Sequence, residues 1–281
     1  MKEKVKSLVI TTGYLAMAFV IQALVTIIYT FISVLLKLNK ESMIIYRSVE
    51  YVNYIGVKAE KILIISSIIT VLVLWIIYKR ERINVIGELG LNDFKLINGY
   101  ASIVLGVSAW AINYGLVNIL SEIMVFKKYF YEFNTATSTV ANPNTNIFIT
   151  ILSIVIIVPF AEEFLFRGII QNTLTKGFSI KSSIIIQASV FGIFHGNVIQ
   201  GVYTVLLGLL LGYVAYKTRS IWSSVIIHIM NNLVSLYLSN IVYEGYKSME
   251  IYIPITGILA GIISLLIIKG YNQQKDIYCS E

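Results

Sequence analysis

The chain has 281 residues, of which 57% are hydrophobic and only 13% are charged. A soluble domain of this length has about a quarter charged residues. The apolar residues lie in long unbroken stretches, and about 20 such residues suffice to cross a bilayer core. Lipid offers the backbone no hydrogen-bond partners, and the short alternating segments of a membrane barrel are absent. The composition therefore predicts an all-α, polytopic transmembrane helix bundle and excludes a soluble fold.

The formal net charge of +7 would also suit an anionic partner. In a membrane protein, however, Lys and Arg flank the helices and set their topology. The sequence has no basic stripe or soluble domain that would present a surface to nucleic acid. We therefore expect the lipid bilayer as a partner and no nucleic acid. Cys279 is the only cysteine, which excludes intrachain disulfides.

About eight membrane segments follow one another along the chain. Their bounds are 8–36, 62–78, 101–125, 147–173, 183–197, 199–216, 220–239 and 251–268. We group them into N-terminal membrane helices (1–125), a central core (147–240), and a C-terminal helix and tail (251–281). With this arrangement, thirteen Lys and Arg residues fall on one side and eight on the other. This bias favours both termini in the cytoplasm and an even number of crossings.

The fourth segment carries three charged residues, Glu162, Glu163 and Arg167. A charge at the bilayer centre costs about 2.5–3.5 kcal/mol on insertion scales, and such residues usually serve a function. Glu163 and Arg167 are four residues apart and can neutralise each other on one helix face. Glu162 is rotated away and has no local cation, as suits a general base. The structural alternative is a buried Glu–Arg network that only locks helices together.

The chain has two histidines, and both fall in predicted helices. An aromatic ring, Phe191, lies one turn before His195, and Asn232 lies one turn after His228. A lone histidine on an apolar helix is often a core residue, but two of them beside a buried glutamate pair predict a site. At 1.5 Å rise per residue, both histidines reach the depth of Glu162 from the cytoplasmic side. We expect Glu162, His195 and His228 to surround a common water pocket. In the sixth segment, Gly208-x-x-x-Gly212 predicts close helix packing.

Three motifs together resemble the CPBP (CAAX protease and bacteriocin-processing, or Abi) intramembrane peptidases, which are related to type II CAAX prenyl endopeptidases. The motifs are Glu162-Glu163-x-x-x-Arg167, Phe191-x-x-x-His195 and His228-x-x-x-Asn232. Each is weak alone, but their order on three hydrophobic helices is specific. The resemblance covers about residues 147–240.

This resemblance implies a role for each of the six site residues. Glu162 would activate the attacking water, and His195 would help to orient it. His228 and Asn232 would stabilise the developing oxyanion. The remaining pair, Glu163 and Arg167, would hold the site together, and the family motif also allows Glu163 a direct part.

Metal dependence is the main open point of mechanism. Two histidines and a glutamate could bind zinc with one position open for water. The sequence has no His-Glu-x-x-His motif, however, and Asn232 beside His228 suits hydrogen bonding better than zinc ligation. We therefore expect a metal-free glutamate mechanism without a cofactor, with zinc as the alternative.

The expected partner is a peptide or a membrane-anchored protein that is cleaved for maturation or bacteriocin self-immunity. The Ile-, Lys-, Asn- and Tyr-rich composition suggests an AT-rich bacterial genome and hence a bacterial cell membrane. Two other functions stay open. A non-catalytic immunity or scaffold protein could share the motifs. A proton-coupled transporter could use membrane Glu and His residues, although paired interrupted helices are not evident. The sequence does not predict an oligomeric state.

Overall fold

A computed structural model of the protein describes residues 1–38, 59–81, 84–91, 94–140, 146–245 and 251–278. Within these ranges the regular structure is helical, as predicted. The longer helices are α1 Lys2–Leu38, α2 Ala59–Arg80, α3 Leu96–Glu122, α4 Lys127–Val140, α5 Ile147–Thr175, α6 Ile180–Phe194, α7 Val198–Thr218, α8 Ile221–Gly245 and α9 Tyr252–Tyr278. A four-residue helix, Val85–Glu88, precedes α3. Cys279 lies outside the described residues.

Seven of the helices in the described ranges are long and apolar enough to cross a membrane, namely all of them except α4 and α6. The prediction of a polytopic helix bundle is thereby confirmed. Helix α4 is an addition that the analysis of apolar segments did not predict, because its sequence is too polar to stand out. It packs against α7 through an edge-to-face contact between Phe133 and Tyr203.

Helices α6 and α7 form an antiparallel hairpin. Helix α6 has 15 residues and is therefore about 22 Å long, short of the ~30 Å hydrocarbon core. It ends at Phe194 because Gly196 takes a left-handed conformation with φ of +66°. The side chain of Asn197 then caps the start of α7. His195 consequently lies in the turn rather than within a helix, which corrects the predicted segment 183–197.

Both ends of the chain lie at the same end of the bundle. The first turn of α1 packs against Gly177, just after α5. At the other terminus, Asn272 on α9 donates a hydrogen bond to Asn98 near the start of α3. The segment that leads into α3 is joined to α5, since Asn172 donates to the carbonyl of Glu88 at 2.8 Å. This arrangement agrees with both termini on one side, although seven of the described helices rather than the predicted eight are long enough to cross, and the remaining predicted segment is the short helix α6. The compartment that this end faces stays a prediction.

Two groups of buried apolar side chains surround the centre of the bundle. The first joins α1, α2, α5 and α6 and is rich in aromatic rings such as Phe164, Phe166 and Phe191. The second joins α3, α7, α8 and α9 and consists mainly of Ala, Leu and Ile. In lipid, helices associate through close packing rather than through the hydrophobic effect. The polar residues described next lie in and between these groups.

Candidate active site

Helix α5 carries both glutamates, and its backbone changes geometry on either side of them. The helix widens to π-helical turns over Ile151–Ile157 and again over Phe164–Gln171. Between these stretches, an ordinary α-helical turn, Val158–Glu163, contains Pro159 and the glutamates. Isolated π-helical turns within α-helices occur frequently at functional sites.

The first π-helical stretch leaves one backbone carbonyl free for a side chain. The N–H of Val158 bonds to the carbonyl of Ser153, five residues back. Pro159 has no N–H and can donate to no carbonyl in the preceding turn. The carbonyl of Ile154 instead accepts a hydrogen bond from Nδ2 of Asn232 on α8, at 3.0 Å. The irregularity in α5 thus fixes one residue of the predicted site.

Glu163 is the centre of a buried charged group. Its Oε1 accepts a hydrogen bond from Nη1 of Arg167 at 2.8 Å, which is the pairing that the four-residue spacing predicted. The same oxygen lies 2.8 Å from Nδ1 of His228. All three residues are buried. Because a carboxylate paired with arginine only accepts hydrogen bonds, His228 donates through Nδ1–H, and in the neutral ring Nε2 carries the lone pair.

Glu162 lies on the other side of the same imidazole. Its Oε2 is 3.7 Å from Nε2 of His228, and its side chain retains 17% exposure whereas that of Glu163 is fully buried. A separation of 3.7 Å is too long for a direct hydrogen bond but can be bridged by water. Each glutamate therefore faces one nitrogen of His228. Glu163 anchors the ring through Nδ1, and Glu162 faces Nε2 on the accessible side.

Phe191 on α6 contacts both histidines. Its ring contacts His228 edge-to-face at 5.9 Å between centroids and His195 at 4.8 Å. The guanidinium of Arg167 lies over the same ring, 4.5 Å from its centroid. His195 is half-buried at the hairpin tip, and its Nδ1–H donates to the carbonyl of Phe191 at 2.9 Å. His195 thus contacts the cluster through Phe191, whereas His228 faces Glu162 directly.

Two asparagines that the sequence analysis did not select extend the site away from Asn232. The Oδ1 of Asn232 accepts a hydrogen bond from Nδ2 of Asn231 at 3.0 Å. The Oδ1 of Asn231 in turn accepts from Nδ2 of Asn113 on α3 at 3.2 Å. The adjacency of Asn231 to Asn232 was a signal in the sequence. Asn113 gave none beyond being a polar residue in an apolar segment.

The glycine pair of α7 serves both packing and hydrogen bonding. A Cβ on Gly208 would lie 3.0 Å from the backbone of Ala188, so the predicted close packing is confirmed. The buried carbonyl of Gly208 accepts from Nη2 of Arg167 and from Nε2 of Gln187. The carbonyl of Gly212 accepts from Gln171. Both glutamines are buried, and the sequence analysis missed them because it weighed only ionisable residues.

An apolar groove of about 260 Å³ lies between α2 and α5. Its lining includes Ile68 and Val71 of α2 together with Phe160 and Ala161 of α5. Ala161 immediately precedes Glu162 in the chain, but neither glutamate lines the groove.

The predicted metal alternative needs three ligands in one place. Among the described residues, no three His, Cys, Asp or Glu side chains are grouped closely enough to hold a metal ion. Glu162 and His228 approach each other to 3.7 Å, whereas the ring of His195 contacts Phe191.

Comparison with known proteins gives one match. Residues 144–234 match the family model of the type II CAAX prenyl endopeptidase Rce1-like proteins. The matched range is about a third of the chain, and it contains all six predicted site residues. It confirms the resemblance to CAAX-type proteases over that segment. Searches of the curated proteins and of the solved structures found no match to the chain.

Proposed function

From the premise that residues 144–234 belong to the CAAX prenyl endopeptidase-like proteases of membranes, we propose that this protein is an intramembrane endopeptidase with a glutamate-activated water. The observation that carries the proposal is the buried line from Arg167 through Glu163 to His228, which faces Glu162 at 3.7 Å. It combines an accessible carboxylate with an imidazole of fixed orientation.

In the proposed mechanism, a water molecule lies between Glu162 and Nε2 of His228. Glu162 accepts a proton from the water, and His228 orients the oxygen towards the peptide carbonyl. The new C–O bond places negative charge on the carbonyl oxygen, and the second N–H of Asn232 donates to it. When the C–N bond breaks, Glu162 returns its proton to the leaving amine. Both atoms and charges balance without another reactant.

This assignment differs from the roles that the resemblance implied for the histidines. His228 is the imidazole that lies beside Glu162, at 3.7 Å, whereas the ring of His195 contacts Phe191. We assign Glu163 and Arg167 to holding His228 in place. His195, at the half-buried hairpin tip, is suited to contact the substrate backbone.

The proposed mechanism uses no metal. Its support is that Asn232 is hydrogen-bonded to a backbone carbonyl, and that the described residues bring no three His, Cys, Asp or Glu side chains together as a metal ion would need. Metal analysis of the purified protein tests this part, and stoichiometric zinc that is lost in a His195→Ala, His228→Ala variant would contradict it.

The peptidase proposal is tested by comparing peptides released in cells that make the wild-type protein or Glu162→Ala. Peptides that appear only with the wild type are expected, because the variant lacks the base that activates water. Glu132→Ala, which removes an exposed glutamate from α4, is the matched control and should keep the products. If an immunity phenotype persists in Glu162→Ala without any difference in peptides, the scaffold function replaces the peptidase.

For the substrate, we propose a peptide or membrane-anchored protein that carries an apolar group next to the cleaved bond. The groove between α2 and α5 supports this, since its lining is almost wholly apolar and ends at Ala161, the residue before Glu162. In this proposal, the end of the bundle with both termini faces the cytoplasm, as the Lys and Arg bias favours. The substrate would then be cleaved within the cytoplasmic half of a bacterial membrane.

Narrowing the groove should weaken substrate binding without slowing the chemistry. Ile68→Trp is expected to raise KM about five- to tenfold for a fluorogenic peptide ending in a farnesylated cysteine, with kcat nearly unchanged, because apolar contact area is lost. Ile69→Trp is the matched control: both isoleucines are exposed on α2, but only Ile68 lines the groove. Equal KM values for the two variants would show that the groove does not bind the substrate.

A further inference from the structure

A row of three asparagine side chains connects α3 to the site through α8. Asn113 donates to Asn231, Asn231 donates to Asn232, and Asn232 donates to the carbonyl of Ile154. Asn113 and Asn231 are buried, with 8% and 6% exposure. Burying a carboxamide costs free energy unless its polar atoms are hydrogen-bonded. A row of three hydrogen-bonded carboxamides therefore needs a physical explanation.

The direction of this row is set by its last member. A backbone carbonyl only accepts hydrogen bonds, so Asn232 must present Nδ2 to Ile154 and turn Oδ1 towards Asn231. The same reasoning requires Asn231 to present Nδ2 to Asn232 and Oδ1 to Asn113. The carbonyl of Ile154, from which these amide orientations follow, is free because Pro159 and the π-helical turn remove its hydrogen-bond partner within the helix.

We propose that Asn113 and Asn231 are positioning residues that hold Asn232 in the amide orientation that the Ile154 carbonyl selects, so that its second N–H stays directed to the oxyanion. The inference rests on the proposed peptidase function. If Asn232 turned over, its carbonyl oxygen would face the developing negative charge and oppose the reaction. Asn113 lies in α3, outside the segment that matches the protease family.

The decisive experiment is a double-mutant cycle on the farnesylated fluorogenic peptide. Asn113→Leu retains the volume of the side chain and removes its donor, and it is expected to lower kcat about three- to tenfold with little change in KM. In an Asn232→Ala background, the same substitution should change kcat less than about twofold, since the group on which it acts is gone. An equal loss in both backgrounds would overturn the inference, as would an unchanged kcat in the single variant.

Asn98→Leu is the matched control for general damage. Asn98 also lies on α3 and also forms an interhelical amide pair, with Asn272 on α9, but it lies about 22 Å along the helix from Asn113. We expect Asn98→Leu to leave kcat unchanged although it removes a comparable interhelical hydrogen bond. A parallel fall in kcat with Asn98→Leu would attribute the effect to loosened packing and overturn the assignment.

A second readout does not depend on hydrolysis. In protein labelled with ¹⁵N-asparagine, the Asn232 side-chain signal is identified by its loss in Asn232→Ala. Asn113→Leu should shift that signal, and Asn98→Leu should not. If the wild type cleaves nothing, the peptidase proposal fails while this measurement still decides whether the asparagine row exists. An unmoved signal in Asn113→Leu overturns the inference even in an active enzyme.

Discussion

Arg167→Met is expected to lower the free energy of unfolding by about 3–5 kcal/mol, because it leaves Glu163 as a buried charge without its cation. Glu163 is fully buried, and Arg167 is 2% exposed. The guanidinium also donates to the carbonyl of Gly208 and lies over Phe191, so its loss removes contacts with two other helices. Equilibrium unfolding in mixed detergent micelles measures the change.

The control substitution is Lys181→Met, which removes an exposed cation and should shift stability by no more than about 0.5 kcal/mol. Adding Glu163→Gln to Arg167→Met should recover most of the lost stability. The neutral amide needs no cation, and its oxygen can still accept from His228. Additive destabilisation in the double variant would show that the arginine stabilises by packing and not by charge compensation.

The same double variant should nevertheless cleave poorly. The negative charge of Glu163 holds the Nδ1–H of His228, and an amide holds it less strongly. Recovery of stability without recovery of turnover would therefore separate the structural role of the pair from its role in orienting the imidazole. Restored turnover would mean that the charge of Glu163 is not needed for chemistry.

The local part of this charged group was predictable from the sequence, and the rest was not. The Glu163–Arg167 pair follows from a spacing within one helix, and the structure contains it. The bond from Glu163 to His228 joins α5 to α8, and no periodicity within either helix reports it. Separate roles are therefore predicted for the two glutamates from sequence, whereas in the structure both face the imidazole of His228.

The hairpin tip shows a signal that was present and not used. Gly196 followed by Asn197 is typical of a helix end and a new helix start, since glycine accepts the left-handed conformation and asparagine caps the following turn. The apolar run around them instead suggested a segment continuing to residue 197. Because the prediction rests on apolar composition, it places His195 within a helix, whereas α6 ends one residue before it.

Pro159 illustrates a feature that could be located but not interpreted from sequence. Its position before the glutamates was evident, and a proline inside an apolar helix predicts local disruption. That the disruption frees the carbonyl of Ile154 for Asn232 depends on how α5 and α8 approach each other. The sequence thus indicates where α5 departs from regular geometry. Only the packing of α5 against α8 shows that the departure provides a hydrogen-bond acceptor for Asn232.

Replacing each histidine separately should produce very different losses of activity. His228→Ala is expected to lower kcat by about 10²–10⁴-fold, because it removes the imidazole whose Nε2 faces Glu162. His195→Ala should lower kcat less than about tenfold, since this ring contacts Phe191 and the histidine paired with Glu162 in the described residues is His228. Its main effect should be on KM, as the ring is half-buried at the tip of the hairpin. Steady-state kinetics on the farnesylated fluorogenic peptide separates the two parameters.

The alternative arrangement, in which His195 orients the water, makes the opposite prediction and is tested by the same pair of variants. His228→Gln adds a control, because a glutamine retains hydrogen-bonding capacity near Glu163 but provides no imidazole lone pair towards Glu162. If His228→Gln folds as stably as the wild type and still loses turnover, the loss belongs to the chemistry. If His195→Ala loses more kcat than His228→Ala, His195 rather than His228 acts on the water, and the role assigned to His228 is wrong.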